Sequence, residues 1–364
     1  MAPGRRLAIL AEGQFGPHHG KTAMGVIRYG PDPVVAVIDS TNVGRSVTEW
    51  LGDAPRFDIP VVGSLDAALA TGVAAGTPVT ALLIGIAPTG GRLPDDWRSA
   101  ILAAIRARLD VLSGLHTFIG DDPEFAAAAA AAGVEILDYR RPPEGLGTAV
   151  GRSHAPGKKV ILTVGTDCAI GKMSVALELT RAAAEQGLRS VFVPTGQTGM
   201  MIAGWGVAVD RVISDFSNGV CEALVEQGEE RGDWLLVEGQ GSLDHPAYSA
   251  VTLGLIHGCT PQAMVMVHKP GLAEHDWDHV EGGHFPIATL PGYIRLHEQV
   301  AALVASSRVV GVALNTSLIV DDDEARRVIA DTATSTGLPA DDPVRFGPGP
   351  LWAAIRPAVE ALVP

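Results

Sequence analysis

The chain has 364 residues, 47% of them apolar, with 43 glycines and a net charge of −14. That length suits two cores better than one, and the negative balance excludes broad electrostatic attraction to nucleic acid or an anionic membrane surface. Cys168, Cys221 and Cys259 are scattered, with no CxxC pair, and the short apolar stretch after Arg5 and Arg6 is no secretory or membrane segment. A soluble, cytoplasmic protein is expected.

Along the first part, LAIL, VVAVI, IPVV, VTALLIGI and VEIL predict strands. The stretches KTAMGVIRYG, GRSVTEWLG, SLDAALATG, WRSAILAAIRARLDVL and PEFAAAAAAAG predict helices between them. Uninterrupted apolar strands alternating with helices argue for parallel sheets covered on both faces. Residues 140–159 then break the rhythm with prolines, glycines and basic residues, which sets the domain boundary, with domains over 1–145 and 146–364. The second part resumes with VILTV, SVFVP, DWLLVEG, AMVMVH and RVVGVALN as strands. No short period repeats, so a solenoid is excluded.

GTDCAIGKMS, Gly165 to Ser174, joins the strand VILTV to a helix. Glycines there let backbone N–H groups converge on an anion, the helix N-terminus adds partial positive charge, and Lys172 adds a full one. Gly165, Thr166, Asp167, Cys168, Ala169, Ile170, Gly171, Lys172, Met173 and Ser174 are therefore the candidate phosphate-holding residues. Five residues separate Gly165 from Gly171, and this GTDxxxGK form resembles the loop of dethiobiotin synthetase. The residue after the lysine is Met173, where such loops carry the hydroxyl that ligates Mg²⁺. Ser174 comes one residue late, about 100° around the helix. Metal-assisted phosphoryl transfer is thereby weakened, whereas a diphosphate that is held and not cleaved, as in coenzyme A, needs no such ligand. Glu238, closing DWLLVEG, is placed to face the phosphates, and Asn315, closing RVVGVALN ahead of GLPADDPVRFG, to face an adenine.

Long blocks of the chain, GTDCAIGKMSVALEL, VPTGQTGMMIAGWGVAVDRVISDFSNGVCE, LLVEGQGSLDHPAYSAVTLGLIHG and GKTAMGVIRYGPDPVVAVIDSTNVGRSV, resemble a family long described as a domain of unknown function. The resemblance covers nearly the whole sequence and implies a Rossmann-like parallel-sheet N-terminal domain followed by a P-loop NTPase-like α/β domain. One branch of that family is D-glutamate N-acetyltransferase. The resemblance thus implies transfer of acetyl from acetyl-CoA to the amine of an acidic amino acid, without fixing the acceptor.

Such chemistry needs a base for the amine, donors for an oxyanion, and a grip on the acceptor's carboxylates. His245, Asp215 and Glu238 are the candidate acid–base residues. Gln197, Thr198 and Gly199, in a loop after a strand, together with Glu222, Ser242 and Tyr248, are candidate acceptor contacts. Asp215 and Glu222, seven residues apart, share a face if both are helical. Lys21 and Arg45 follow the first two strands and suit a carboxylate. Asp39 resembles a ribose-binding acid, but Gly13, Gly16 and Gly20 are not spaced as GxGxxG, which argues against NAD. His268, His275, His279 and His284, near Asp276 and Asp278, raise a zinc reading. Gly271, Gly282, Gly283 and Pro286 make that segment a polar loop instead, and no metal is expected. The rival readings are an ATP- and Mg²⁺-dependent kinase or ligase acting on a small carboxylate, and a non-catalytic nucleotide sensor. The expected partners are a small amino acid and a second copy of the chain.

Overall fold

A computed structural model describes residues 4–16, 19–86, 91–275 and 285–363. It divides into two compact units, Met1–Pro142 with Met200–Arg211, and Pro143–Gly199 with Val212–Pro364. The break at residue 142 falls inside the proline- and glycine-rich stretch, and the chain returns to the first unit once, over 200–211.

In the first unit the elements run β1 (Leu7–Leu10), α1 (Lys21–Tyr29), β2 (Val34–Ile38), α2 (Thr48–Leu51), β3 (Val61–Val62), α3 (Leu65–Ala74), β4 (Ala81–Ile84), α4 (Arg98–Arg106), β5 (Asp110–Ser113), α5 (Pro123–Ala132) and β6 (Ile136–Asp138). The sheet order is β3-β2-β1-β4-β5-β6 with every pairing parallel, the Rossmann order. Ala8, Ile9, Leu82, Leu83 and Ile84 are wholly buried, as strands covered on both faces must be. The stretch WRSAILAAIRARLDVL is not one helix. It turns at Arg108, whose φ is 62°, and its last apolar residues form β5. Leu109, Val111 and Leu112 are all buried, so the apolar spacing that extends a helical pattern serves a central strand equally well.

The second unit holds β7 (Lys159–Gly165), α6 (Lys172–Glu185), β8 (Ser190–Val193), the start of α7 (Gln197–Ala203), α8 (Ser214–Arg231), β9 (Trp234–Val237), α9 (Ser249–Cys259), β10 (Ala263–His268), α10 (Leu290–Ala301), β11 (Arg308–Leu314), α11 (Asp322–Thr336), β12 (Ala340–Asp341) and α12 (Gly349–Leu362). Its sheet is also parallel throughout, in the order β12-β11-β10-β7-β9-β8. Central β7 lies between β10 and β9, where the connections leave in opposite directions, and such a switch point opens a crevice at the carboxyl ends of the strands. The glycine-rich loop leaves the end of β7 there. No helix among the described residues is long and apolar enough to cross a membrane.

Candidate active site

The loop between β7 and α6 has the backbone its glycines and small residues allow. Ala169 adopts φ 53° and Gly171 φ 111°, both left-handed. Alternating hand along a loop turns successive N–H groups toward one point. A non-glycine residue in that region stores strain of the kind found at ligand sites. Lys172 opens α6 and is buried, and its Nζ donates to the Asp167 carbonyl oxygen at 2.6 Å. Met173 and Ser174 are half-buried on the first turn. Asn315 does meet the loop, but its amide donates to the Ile170 carbonyl at 3.0 Å and its oxygen accepts from Ser317. Its observed work is to brace the loop.

Glu238 follows β9 and is buried beside this lysine. The amides of Thr195 and Gly196, at the end of β8, donate to its Oε2 at 2.9 and 3.0 Å. Burial raises its pKa from 4.5 to about 7, against the opposing pull of those amides, of Gln240 and of the Lys172 ammonium. A carboxyl group poised there can take or give a proton near neutrality. Gly199 explains itself in this setting: a Cβ there would stand 2.4 Å from Glu238 Oε2. The glycine leaves room for the carboxylate. Gln197 and Thr198, beginning α7, are buried beside it in the chain.

The segment after β9 adds further polar groups. Ser242 is buried, and its hydroxyl bonds Tyr293 Oη at 2.6 Å and Asp244 Oδ1 at 2.9 Å. His275 Nδ1 lies 3.0 Å from Asp167 Oδ1, and its Nε2 comes within 2.9 Å of Asp244 Oδ1 at an angle too poor for a hydrogen bond. His245 is wholly buried, and its ring lies 4.7 Å from that of Tyr248, centroid to centroid. The Ala247 amide donates to His245 Nδ1 at 3.1 Å. A neutral imidazole with that nitrogen accepting carries its proton on Nε2, so this ring is arranged as a hydrogen-bond donor and not as the base its position in the sequence suggests. Asp167, Cys168 and His245 bring one possible ligand atom each within 4.8 Å of one another. The Ala247 bond opposes metal ligation by this histidine, because a ligating ring nitrogen needs its lone pair and the other nitrogen then carries the proton.

Two buried residues on α10 were not visible as site residues in the sequence. Tyr293 reaches Ser242, and His297 packs its ring 5.3 Å from that of Tyr293. His297 Nδ1 donates to the Tyr293 carbonyl at 2.8 Å. Burial, with the Lys172 charge added, lowers its pKa from 6.5 to about 3, so it is neutral at working pH. Its Nε2 has no hydrogen-bond partner among the described residues. Neither residue belongs to a motif, and the sole signal was histidine at i+4 from tyrosine on an amphipathic helix, LPGYIRLHEQVA.

Other expected contacts do different work. Asp215 is exposed on the first turn of α8. Glu222 accepts from the amides of Val150 and Gly151 at 3.1 and 2.9 Å and approaches Arg152. It ties down the segment that leads into β7, so it is not an acceptor contact, and the shared helix face of the two acids does not make a site. Arg45 pairs with Glu49 at 2.7 Å, bonds Asn42, and lies over the Trp50 ring. Lys21 begins α1 and is exposed. Of the histidine-rich segment, His268 meets Thr166 Oγ1 at 2.9 Å and His275 meets Asp167, while His279, His284, Asp276 and Asp278 lie outside the described residues.

Asp39 is no ribose ligand in this fold. Its carboxylate is wholly buried and accepts from the amides of Gly13, Phe15 and Thr41, the Thr41 hydroxyl and the Asn42 amide. Burial pushes its pKa up, but the bonds from Thr41, Asn42 and Phe15 outweigh that and hold it below the ordinary 3.8. The contribution is therefore present above the unfolded pKa and is lost as pH falls through the folded one. Asp39→Ala should cost about 3 kcal/mol, by stranding buried donors. Urea unfolding at neutral pH measures it, and the difference from wild type should shrink in acid.

The family model for the P-loop domain of DUF1611, a domain of unknown function, matches residues 147–352, and that for its Rossmann-like N-terminal domain matches 40–142. A protein named D-glutamate N-acetyltransferase from Tritonibacter scottomollicae is 34% identical, over 92% of this chain and 93% of its own length. One of the same name from Pseudoalteromonas sp. is 33% identical, over 85% of this chain and 92% of its own. The crystal structure of a DUF1611 family protein from Anabaena variabilis matches with a TM-score of 0.89 at 41% identity, covering 97% of this chain and 100% of that one. With both domain models matched in order and relatives aligned almost end to end, the chain belongs to the DUF1611 family.

Proposed function

We propose that this protein transfers acetyl from acetyl-CoA to the amine of an acidic amino acid, with D-glutamate as the favoured acceptor. The observation that carries the reading is Glu238, a buried carboxyl group at about pKa 7, beside a loop whose metal-ligating position is Met173. Phosphoryl transfer relies on a metal to neutralise charge, whereas acyl transfer to an amine relies on a base matched to neutrality. Full-length relatives named for D-glutamate N-acetylation support the choice of substrate.

In this scheme Glu238 takes a proton from the acceptor's ammonium, and the freed amine attacks the thioester carbonyl. The oxyanion is held by N–H and O–H donors, for which His245 Nε2–H and the Tyr248 hydroxyl are the candidates. Collapse expels the coenzyme A thiolate, which takes up the proton Glu238 carries, and the carboxylate so restored accepts the remaining excess proton from nitrogen and releases it to solvent. The test is release of free thiol from acetyl-CoA with D-glutamate, L-glutamate and D-aspartate, in the presence of EDTA. Thiol release with D-glutamate that EDTA leaves intact is expected. No release with any of them, or turnover only with ATP and Mg²⁺, ends the proposal.

A further inference from the structure

The sequence leads one to expect a diphosphate in the loop after β7, but the charges and the chemistry around that loop favour another occupant. Beside Lys172 the fold buries two carboxylates, Asp167 and Glu238. A diphosphate would bring at least two further negative charges against them, and Met173 supplies no ligand for a neutralising cation. An amino acid carries an ammonium as well as carboxylates, and it suits a site of mixed sign.

The position of the reactive groups agrees. Glu238 lies close enough to Lys172 to feel its charge, and Gly239, the next residue, approaches the lysine's side chain. Cys168 and His245 sit at the loop itself. In coenzyme A the pantetheine arm separates diphosphate from thioester. A loop filled by the diphosphate would hold the reacting carbon an arm's length from all these groups.

His297 supplies an independent sign of a ligand. Its wholly buried Nε2 is an acceptor with no donor among the described residues, because the ring carries its proton on Nδ1, which donates a hydrogen bond to the Tyr293 carbonyl. Native proteins rarely leave such an atom without a donor.

We propose that the loop amides and Lys172 bind a carboxylate of the acceptor, a dicarboxylic amino acid. Its ammonium is directed to Glu238 and to His297 Nε2, and the nucleotide of coenzyme A binds away from this loop. The inference rests on the proposed acetyl transfer for its substrate class.

Steady-state kinetics with each substrate varied in turn separate the two placements. Lys172→Met should raise KM for D-glutamate about ten- to a hundredfold, the loss of one charge-assisted contact. KM for acetyl-CoA should stay within about threefold. A rise in KM for acetyl-CoA with the acceptor spared overturns the inference and leaves the proposed reaction standing. Should Lys172→Met fail to fold, the wild-type chain decides: glutarate should compete with D-glutamate and not with acetyl-CoA. Inorganic pyrophosphate competing with acetyl-CoA, and glutarate with neither, sinks it. His297→Leu should weaken D-glutamate about tenfold and leave glutarate, which has no amine, unchanged; equal effects on both remove the ammonium assignment. If the wild-type chain transfers no acetyl group, the proposed reaction falls, and calorimetric titration with glutarate still tests the loop. Binding that Lys172→Met abolishes sustains a carboxylate site, and absence of binding overturns it.

Discussion

Glu238→Gln should abolish most of the proposed acetyl transfer while making the folded protein more stable at alkaline pH. The catalytic side follows from the base: without it, kcat/KM should fall by about 10²- to 10⁴-fold. In the wild-type chain log kcat/KM for the proposed reaction should fall with unit slope below about pH 7, as the Glu238 carboxylate is protonated. The residual rate of the variant should lack that limb. The stability side has the opposite sign. Glu238 titrates near 7 when folded and at 4.5 ordinarily, so the folded state holds the proton more tightly. Stability is full below the unfolded pKa, declines as pH rises toward 7, and stays reduced above it. The reduction is of the order of 3 kcal/mol. Glutamine keeps an oxygen for the Thr195 and Gly196 amides and carries no charge to desolvate. Melting curves at pH 5 and pH 8 should therefore show the variant gaining on wild type only at the higher pH. A variant that loses stability at pH 8 would mean the carboxylate is a structural anion, and its role as base would go with it.

The same residue shows how far the sequence was legible. Glu238 and the loop from Gly165 to Ser174 could be read because each lies at a strand end, within one short stretch whose apolar run announces the strand. Both sheets were readable for that reason, apart from two strands: β5, whose apolar residues continue a helical spacing until Arg108 turns the chain, and β12, which is two residues long and has no apolar run to announce it. Glu222 misled because an acid on a helix face has the same pattern whether it meets a ligand or, as here, the backbone amides of residues 150 and 151. Asp39 was read more safely: a strand-end acid near glycines serves a ribose or a buried turn equally well, and the spacing of Gly13, Gly16 and Gly20 already argued against NAD. Tyr293 and His297 were illegible as site residues because only the fold brings them in: Tyr293 meets Ser242, 51 residues earlier in the chain, and His297 feels the charge of Lys172. Which side chain arrives there depends on how α10 packs, and no local spacing encodes that.

Gly239→Ala should be the most damaging single methyl group in the second unit. A Cβ at this position would lie 1.7 Å from the Thr163 carbonyl oxygen and 3.1 Å from Lys172 Cδ. The first obstacle is backbone in the central strand β7, so no side-chain rotation relieves it. Thr163 also fixes the crossing from its hydroxyl, which accepts from the Gly239 amide at 2.9 Å and donates to the Val237 carbonyl at 3.2 Å. Relief thus requires β9 to part from β7 at the point where Glu238 and Lys172 are brought together. A cost above about 3 kcal/mol is expected, at the upper end for overpacking, with activity lost even where the chain still folds. Gly199→Ala makes a useful contrast, since its Cβ meets the Glu238 carboxylate at 2.4 Å and side-chain atoms of Phe192 and Pro194 at 3.1 Å. These are side chains that can give. The Gly199 variant should retain most of its stability and lose rate through a displaced Glu238, visible as a shifted acid limb in the pH–rate profile. Gly239→Ala should instead lower the melting temperature at every pH. If both variants behaved alike, the close crossing of β7 and β9 would not be what holds Glu238 against the loop.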